Sequence, residues 1–318
     1  MIIKLDKKDW RILYELDVNA RQTNSAIAKK VGLSKYSVAY RVKQLEQKGI
    51  IEGYYTIIDF YKLGYLSFRI YLKLANASLE VEEQIMDFID KNDKVTYSAK
   101  VKGVFDINFG TIVKNIYEFE KFYSEFKKSF NRYIEKEKVS LFTKVHHFSR
   151  AYFLNKKQST EETRYYGSEE IISIDEKDMY ILKLLAQNSR ITVVDMSRKL
   201  KIAERTIVYR IRNLERKKII QGYRALFNLK LLGYTVYRLD LSLNNLSNIS
   251  TFIQFAHHHP NITYFSQGIG CSDAELEIEV KDENAFEDLL EEIRQKFPEV
   301  RSYSYFTFKK YYKEVYFP

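Results

Sequence analysis

The stretch VAYRVKQLEQKGIIEGYY at residues 38–55 recurs as IVYRIRNLERKKIIQGYR at residues 207–224. Nine of the eighteen aligned positions are identical, and most of the others exchange similar side chains. In both copies the apolar residues recur every three or four positions, which is typical of an amphipathic helix, and a short β-like run follows. The chain therefore carries the same basic helix–strand segment twice.

The duplication extends on both sides of this stretch. The offset between the copies is 169 residues at first and 167 further on. Three glycines also recur, which marks turns that a side chain would disfavour. We therefore predict a tandem repeat of one unit. The aligned blocks are 5–41 with 174–210, 61–74 with 230–243 and 95–107 with 262–274, and the glycine pairs are Gly53/Gly222, Gly64/Gly233 and Gly103/Gly270.

The first part of each unit has the pattern of three helices. Asp6 or Asp9 can cap the first helix, a short helix follows, and Ser34 is a good N-cap for the third. The third helix is predicted at 35–48 and, in the second copy, at 204–217. The run GYYTII that follows the first of these occupies the place of a wing.

The rest of each unit alternates like strands. FRIYLKL at 68–74 and YRLDLSL at 237–243 place apolar side chains on one face. The complete order, βαββαβ, is that of the ferredoxin-like plait, and the aromatic last strand favours core and interface packing. The fold class is α+β. The predicted domains are winged helix-turn-helix modules at 1–58 and 174–227, ferredoxin-like domains at 59–154 and 228–318, and a polar linker at 155–173.

Charge and composition limit the possible functions. Of the net charge of +10, residues 5–55 carry +4 and residues 174–224 carry +7, whereas residues 225–318 carry −4. A basic patch on a discrete domain is typical of a nucleic-acid binder, although a charged face can also be merely solvated. No apolar run approaches the ~18 residues of a membrane helix, and no signal-peptide pattern begins the chain, so we expect a cytoplasmic protein. The single cysteine, Cys271, excludes an internal disulfide framework.

The third helix has two opposite faces. Val38, Val42 and Leu45 share one face and are predicted to pack on the first two helices. The other face carries cationic, aromatic and amide side chains, which can hold phosphates or bond to bases in a major groove. The alternative is the solvated face of a structural bundle. The residues predicted to contact DNA are Ser34, Lys35, Tyr36, Ser37, Tyr40, Arg41, Lys43 and Gln47, and in the second copy Arg205, Thr206, Tyr209, Arg210, Arg212 and Arg216.

In each copy, the third helix carries an arginine on its flank, and the residue before its start differs between the copies. Arg41 and Arg210 lie on the flanks, where ion pairs or phosphate clamps that orient the helix are favoured over base contacts. Ala203 stands where the first copy has Ser34, which removes an N-cap worth about 1 kcal/mol. We predict that the two heads do not read identical sequences.

A three-helix module ending in YRVKQLEQKGIIEGY, followed by a plait with a Gly-x-x-Asp turn, resembles the leucine-responsive (Lrp/AsnC) family of bacterial and archaeal transcription regulators. The resemblance covers nearly the whole chain, twice. It implies that the first module of each unit binds double-stranded DNA. It also implies that the plait, called a RAM domain in that family, pairs with another plait and can bind a small effector, often an amino acid. The turns then line the effector site, or they merely connect two strands; their residues are Gly103, Asp106, Gly270 and Asp273.

The chain departs from the family pattern because it holds two complete units. One chain could form the family's dimer by itself, and its two unequal heads would read half-sites about one helical turn apart. The copies could instead each pair with another chain and form a homo-oligomer.

Two other functions compete with DNA binding. Sirohaem decarboxylases resemble this architecture, but Tyr97 and Tyr264 stand where that resemblance implies a histidine. A metal-responsive regulator could use the histidines at 257–259 with Cys271, since imidazole and thiolate bind zinc. Those histidines more simply end a surface helix before Pro260. We expect no enzyme activity, no cofactor and no metal.

Overall fold

The computed structural model describes residues 2–157, 164–167, 169–270, 272–315 and 317. Both units follow one order of helices and strands, as the repeat predicts. The first unit contains α1 (Lys7–Val18), α2 (Asn24–Val31), α3 (Lys35–Gln47), β1 (Ile51–Ile58), β2 (Leu66–Leu74), α4 (Leu79–Lys91), β3 (Val95–Gly103), β4 (Ile107–Val113), α5 (Ile116–Phe130) and β5 (Ile134–His147). Strand β6 (Arg164–Tyr166) lies between the units. The second unit contains α6 (Glu176–Gln187), α7 (Val193–Leu200), α8 (Glu204–Arg216), β7 (Ile220–Phe227), β8 (Thr235–Leu243), α9 (Ile249–His258), β9 (Ile262–Ile269), β10 (Ala274–Val280), α10 (Glu283–Lys296) and β11 (Val300–Glu314).

Local sequence signals explain where the first helices begin. Asp6 caps α1 through a capping box with Asp9. Ser34 caps α3, because its side chain accepts the Ser37 N–H at 3.1 Å, which confirms the predicted cap. Ala203 gives α8 no side-chain cap. The start of α8 therefore has about 1 kcal/mol less local stabilisation than that of α3.

The run expected to form a wing forms a different structure. β1 does not fold back into a hairpin; it pairs antiparallel with β7, the equivalent strand of the other unit. The run in the place of a wing is thus one strand of a ribbon that both units share. A single strand has backbone groups that need partners, and here each unit supplies them to the other.

The β1–β7 ribbon connects the two three-helix heads. Ala225 and Phe227 of β7 belong to the apolar core of the first head, whereas Ile58 of β1 belongs to that of the second. Arg21 of the first head also donates a hydrogen bond to the Ser189 carbonyl of the second, at 2.5 Å. Each head therefore packs on a strand from the other unit.

The strands of the two plaits form one closed ring. Their order is β2-β4-β3-β11-β8-β10-β9-β5, and β5 pairs again with β2. The units meet at two junctions, β3 with β11 and β5 with β9. The eight antiparallel strands thus make a barrel in which the outer strands of both plaits are paired. The plaits pair within one chain, which is one of the two assemblies the sequence allows.

Strand β2 shows how the barrel divides its two faces. Phe68, Ile70 and Leu72 face outward into a core that also holds apolar residues of α4 and α5. Tyr71 faces the interior and packs near Phe306 of the second unit. The two-residue period of a strand produces this alternation. The expected βαββαβ order and the α+β class are confirmed.

The segment between the units is more ordered than a plain linker. β6 pairs with the end of β5, and the Ile172 N–H donates to the Lys62 carbonyl at 2.6 Å. The predicted linker therefore contains a strand. Residues 158–163 and 168 of that segment lie outside the described residues.

The helices are short. The longest that the structure describes, α5, has 15 residues. Within the described ranges, no helix is both long and apolar enough to cross a membrane.

Candidate DNA interface and effector turns

Helices α3 and α8 each bury one face. Val38, Val42 and Leu45 lie in the apolar core of the first head, as the helical spacing predicts. The equivalent apolar residues of α8 are buried in the second head. Both helices end one residue before the predicted positions, at Gln47 and Arg216.

The opposite face of both helices is open to solvent. Tyr36 and Tyr40 of α3 are 74% and 66% exposed, and Tyr209 of α8 is 67% exposed. An exposed aromatic ring forgoes the free energy of burial, so three of them on basic surfaces indicate a binding surface. The other exposed members of the two rows are Lys35, Ser37, Lys43, Gln47, Arg205, Arg212 and Arg216.

At the start of α3, the hydroxyl groups of Ser34 and Ser37 lie within hydrogen-bond distance of each other, and Ser34 also caps the helix. Ser34 is exposed, but its Oγ accepts the capping bond and lies 3.0 Å from the Ser37 Oγ. Thr206, the equivalent of Ser37 in α8, is half-buried. These residues can meet a phosphate only through the hydrogen-bonding capacity that the helix does not use.

Arg41 and Arg210 are held by ion pairs within their own heads. One Nη of Arg41 lies 2.7 Å from a carboxylate oxygen of Asp6 and 2.7 Å from one of Asp9. Arg210 makes the equivalent pairs, both at 2.8 Å, with two aspartates at the start of α6. Hydrogen bonds to Asp9 and Asp6 raise the pKa of Arg41. Both arginines tie the third helix to the start of the first helix, which is the orienting role.

The Gly-x-x-Asp turns lie at the two junctions of the barrel. Gly103 has φ +143°, and an added Cβ would lie 2.8 Å from the Tyr305 carbonyl oxygen of β11. Gly270 has φ +78°, and an added Cβ would lie 2.7 Å from the Val139 carbonyl oxygen of β5. Both positions need glycine for the backbone conformation and for the close approach of the other unit.

The aspartates of these turns fasten them to the neighbouring strands. Asp106 accepts the Leu74 N–H at 2.9 Å, and its other oxygen lies 3.0 Å from Lys73 Nζ. Asp273 accepts the Leu243 N–H at 2.7 Å. The carboxylates therefore have a structural role, and an effector could meet only their remaining hydrogen-bonding capacity.

Sequence reasoning missed the charged interior of the barrel. Glu275 and Glu279 of β10 are completely buried. Glu275 lies 2.6 Å from Arg238, and Glu279 lies 2.9 Å from Arg150. The pattern AELEIEV is typical of a half-buried strand with its acids in water. Closure of the ring turns the acidic face of β10 inward. These ion pairs can therefore be predicted only when the strand pairing is known.

A buried ion network joins the first head to the barrel. Asp17 of α1 has no exposed side-chain surface and lies 2.8 Å from Arg150 and 2.6 Å from Arg224. Arg150 also pairs with Glu279. The residues that the repeat makes equivalent to these four carry no charge, and three of them lie in the apolar core of the second head. These residues are Tyr55, Ile112, Ala186 and Phe317, of which the last three are the core members.

The histidine cluster ends a helix, as expected. α9 ends at His258, whose ring Nδ1 lies 2.7 Å from the Gln254 carbonyl oxygen. Cys271 lies outside the described residues. Across the part of the chain that the structure describes, no group of three or more His, Cys, Asp or Glu side chains could hold a metal ion.

Comparison with known proteins decides the family. A profile for winged helix-turn-helix DNA-binding domains matches residues 5–52, and one for the AsnC-type helix-turn-helix domain matches residues 174–215. Over 122 residues the chain is 30% identical to the leucine-responsive regulatory protein of Escherichia coli, which covers 38% of this chain and 74% of that protein. The chain belongs to the Lrp/AsnC family.

Other Lrp/AsnC relatives are as similar. The chain is 33% identical over 121 residues to the HTH-type transcriptional regulator Ptr1 of Methanocaldococcus jannaschii, covering 38% of this chain and 80% of that one. It is 31% identical over 122 residues to the proline dehydrogenase transcriptional activator of Rhodobacter capsulatus, covering 38% and 79%. The protein is thus a DNA-binding transcriptional regulator of the Lrp/AsnC type, as predicted from its sequence.

One solved structure shares the whole tandem architecture of this Lrp/AsnC chain. The siroheme decarboxylase NirDL superposes with a TM-score of 0.66 over 98% of this chain and 94% of that one, at 14% identity. At this identity the likeness shows the fold alone. Tyr97 and Tyr264, the residues that stand in place of the implied histidines, both line the barrel interior.

Proposed function

We propose that each head reads DNA through the exposed row of its third helix, and that the unequal heads bind an operator with two unequal half-sites. The exposed rows of α3 and α8 carry this proposal. The β1–β7 ribbon supports it, since it fixes one head to the other within a single chain. One chain then presents both helices to neighbouring turns of the major groove.

The composition of the two rows differs in a way that predicts different sequence preferences. Arg205, Arg212 and Arg216 in α8 can each bond bidentately to guanine, the commonest specific contact in the major groove. The α3 row has Tyr36, Lys43 and Gln47 at the equivalent positions. We therefore assign the guanine-dependent half-site to the second head. Arg41 and Arg210 orient these helices and leave base contact to their neighbours.

The test of this proposal begins with selection of bound duplexes from a random pool, followed by fluorescence anisotropy of the preferred site. We expect a site without two-fold symmetry. R212A should weaken its binding by about 1–3 kcal/mol and relax the preference for one guanine. K43A should lower the slope of log affinity against log salt by roughly 1, because one phosphate contact is lost.

The chain offers a matched control for these variants. Arg294 is an exposed arginine on α10, 3.3 Å from Glu291 and away from both heads. R294A changes the net charge by the same amount and should leave the salt slope and the selected sequence unchanged. A perfectly symmetric selected site would contradict unequal reading, and absence of binding even at low salt would refute the DNA interface.

We propose further that an amino-acid effector binds at the Gly-x-x-Asp turns. Gly103 and Gly270 support this placement, because each lies against the backbone of the other unit, and the carboxylates of Asp106 and Asp273 belong to the same turns. D106N and D273N keep an acceptor oxygen for the strand N–H but lose the charge. An amino acid that raises the unfolding midpoint of the wild type should do so less in both variants and equally in D87N, an exposed control. Equal shifts in all variants would remove the turns from effector binding.

A further inference from the structure

Arg69 of β2 and Arg238 of β8 are equivalent residues, 169 positions apart, and both lie in the barrel. Arg238 is 2% exposed and is matched by acids. One Nη lies 2.6 Å from Glu275 and the other 3.9 Å from Glu277. A buried guanidinium is tolerated when it is paired in this way.

The first unit lacks both of these acids. Asn108 and Gly110 stand at the equivalent positions of β4, and Gly110 lies directly opposite Arg69 in the strand register. Asn108 donates instead to the Ile70 carbonyl at 3.1 Å. The two equivalent arginines therefore differ. Arg238 has acidic partners in the second unit, whereas Arg69 has no acid at the matching positions of the first.

Arg69 makes contacts with rings where Arg238 makes contacts with carboxylates. Its guanidinium carbon lies 5.0 Å from the ring centre of Tyr97 and 4.9 Å from that of Phe142. In the part of the chain that the structure describes, its Nε has no hydrogen-bond partner. Aromatic faces attract a cation, but they do not accept hydrogen bonds from the N–H groups that lie in the plane of the guanidinium.

A chamber of about 150 Å³ adjoins Arg69 and is walled by both units. Its walls include Tyr97 from the first unit and Tyr264 and Tyr311 from the second. The Tyr97 hydroxyl and the Nδ1 of His147 also have no hydrogen-bond partner among the described residues. Burial lowers the pKa of His147 well below its ordinary range, so this imidazole is neutral. The chamber thus combines aromatic walls with polar groups that have no partner among the described residues.

Two acids, Glu277 and Glu314, also line the chamber, and both belong to the second unit. The neighbours of Arg69 across the sheet are Gly110 and Ser140, which carry no charge. Arg238 lines the chamber as well, but it is paired with Glu275 and Glu277. Among the described residues, Arg69 is the guanidinium of the chamber that has no carboxylate within ion-pair distance.

We propose that this chamber binds a small aromatic monocarboxylate, with its carboxylate against Arg69, on the side where the first unit has Gly110 in place of an acid. In the second unit the Glu277 side chain occupies the equivalent space. An added Cβ at Gly110 would lie 3.7 Å from a Tyr97 ring carbon and 3.9 Å from Arg69 Nε, which are ordinary contacts. A carboxylate is the partner that matches the fork of a guanidinium.

The size of the chamber sets the size of the ligand. A cavity of about 150 Å³ holds one benzene ring. The ring of a benzoate-sized molecule therefore fits between the tyrosines, with its carboxylate directed at Arg69, whereas a tetrapyrrole is far too large for the chamber. This site is separate from the DNA interface and the Gly-x-x-Asp turns, so its failure would leave the proposed function untouched.

Benzoate titrated into the full chain, followed by calorimetry and by the thermal unfolding midpoint, tests the proposal. Wild type and G110A should bind, because alanine leaves the space open. R69Q should bind on the order of tenfold to a hundredfold more weakly, through loss of a charge-assisted hydrogen bond. G110E should not bind, since it places an internal carboxylate where the ligand carboxylate belongs. Benzyl alcohol, a neutral molecule of similar shape, should bind to the wild type more weakly than benzoate does. Its affinity for R69Q should equal its affinity for the wild type.

Several results would overturn the proposal. The proposal fails if benzoate does not bind to the wild type, or if it binds equally to the wild type and to R69Q. It also fails if the wild type binds benzoate and benzyl alcohol equally. Far-UV circular dichroism establishes that each variant is folded. If G110E does not fold, the R69Q and benzyl alcohol comparisons decide the matter without it.

Discussion

Replacement of Asp17 by alanine tests the buried network that joins the first head to the barrel. The Asp17 carboxylate lies 2.8 Å from Arg150 and 2.6 Å from Arg224, and it also accepts the backbone N–H of Arg150 at 2.7 Å. D17A leaves two buried guanidiniums short of a partner. Breaking a buried ion pair on one side costs about 3–5 kcal/mol, so we expect the free energy of unfolding to fall by that amount.

The single tryptophan makes this measurement local. Trp10 lies in α1, 5.1 Å from the Phe153 ring, so its fluorescence reports on the first head during urea unfolding. D87A is the matched control, because Asp87 is 69% exposed and lies 3.5 Å from Lys91. An exposed pair of this kind contributes at most about 0.5 kcal/mol. A loss below about 1 kcal/mol in D17A would refute the energetic role of the network.

The same variant predicts a change in the pH dependence of stability. Burial by itself raises the pKa of Asp17, but the charges of Arg224 and Arg150 outweigh it and hold the pKa below the ordinary value. A carboxyl with a depressed pKa in the folded state stabilises the protein above its unfolded pKa, about 3.9. That contribution is lost as the pH falls below this value. D17A should therefore lose less stability than the wild type between neutral pH and acid.

The chain contains an uncharged version of the network at the positions that the repeat makes equivalent. Changing Asp17 to Ala, Arg150 to Phe, Arg224 to Tyr and Glu279 to Ile reproduces the uncharged set found there. Replacing a whole buried ionic cluster by packed apolar residues is often neutral. We expect the fourfold variant to recover most of the stability that D17A loses. A fourfold variant no more stable than D17A would show that the two halves are not interchangeable in this way.

Three further predictions concern helix caps, turns and histidines. S34A should lower the free energy of unfolding by about 1 kcal/mol and A203S should raise it by a similar amount, because α3 begins with a side-chain cap and α8 does not. Urea unfolding of both variants checks this. G103A should destabilise by about 2 kcal/mol or more, since the new Cβ meets the β11 backbone at a positive φ, and a wild-type urea midpoint would contradict the close approach of the units. Burial lowers the pKa of His146 to about 4 and that of His147 well below its ordinary range. Both stabilise the fold above the unfolded pKa, about 6.5, and this contribution is lost as the pH falls below it. Ring proton signals that titrate near pH 6.5 in nuclear magnetic resonance would contradict the buried placement.

Local patterns were enough to predict the elements of each unit. The spacing of Val38, Val42 and Leu45 predicts the buried face of α3, and Ser34 predicts where that helix begins. The alternation in β2 and β8 predicts the plait. These features depend on residues within a few positions of one another, so a single sequence contains the information.

The missing information concerns partners far apart in the chain. Nothing local to GYYTII specifies that β1 pairs with β7, about 170 positions away. Closure of the barrel is equally non-local, and it decides whether the acids of β10 face water or the interior. For this reason Glu275 and Glu279 could be recognised as buried only from the structure. The contrast between Arg69 and Arg238 follows from the same register, although the repeat alignment already shows that their partners differ.

An ion network attaches the first head to the barrel, whereas the equivalent residues at the second head are uncharged. This difference has a consequence for how such a regulator can change. In a symmetric dimer of separate chains, every substitution occurs twice, once in each subunit, so an improvement in one half-site contact is tied to the same change in the other. Here a substitution at Asp17 changes the first head and leaves Ala186, its counterpart, untouched. The fused chain can therefore acquire a weaker head, a tighter head or a ligand site in one half while the other half keeps its original role.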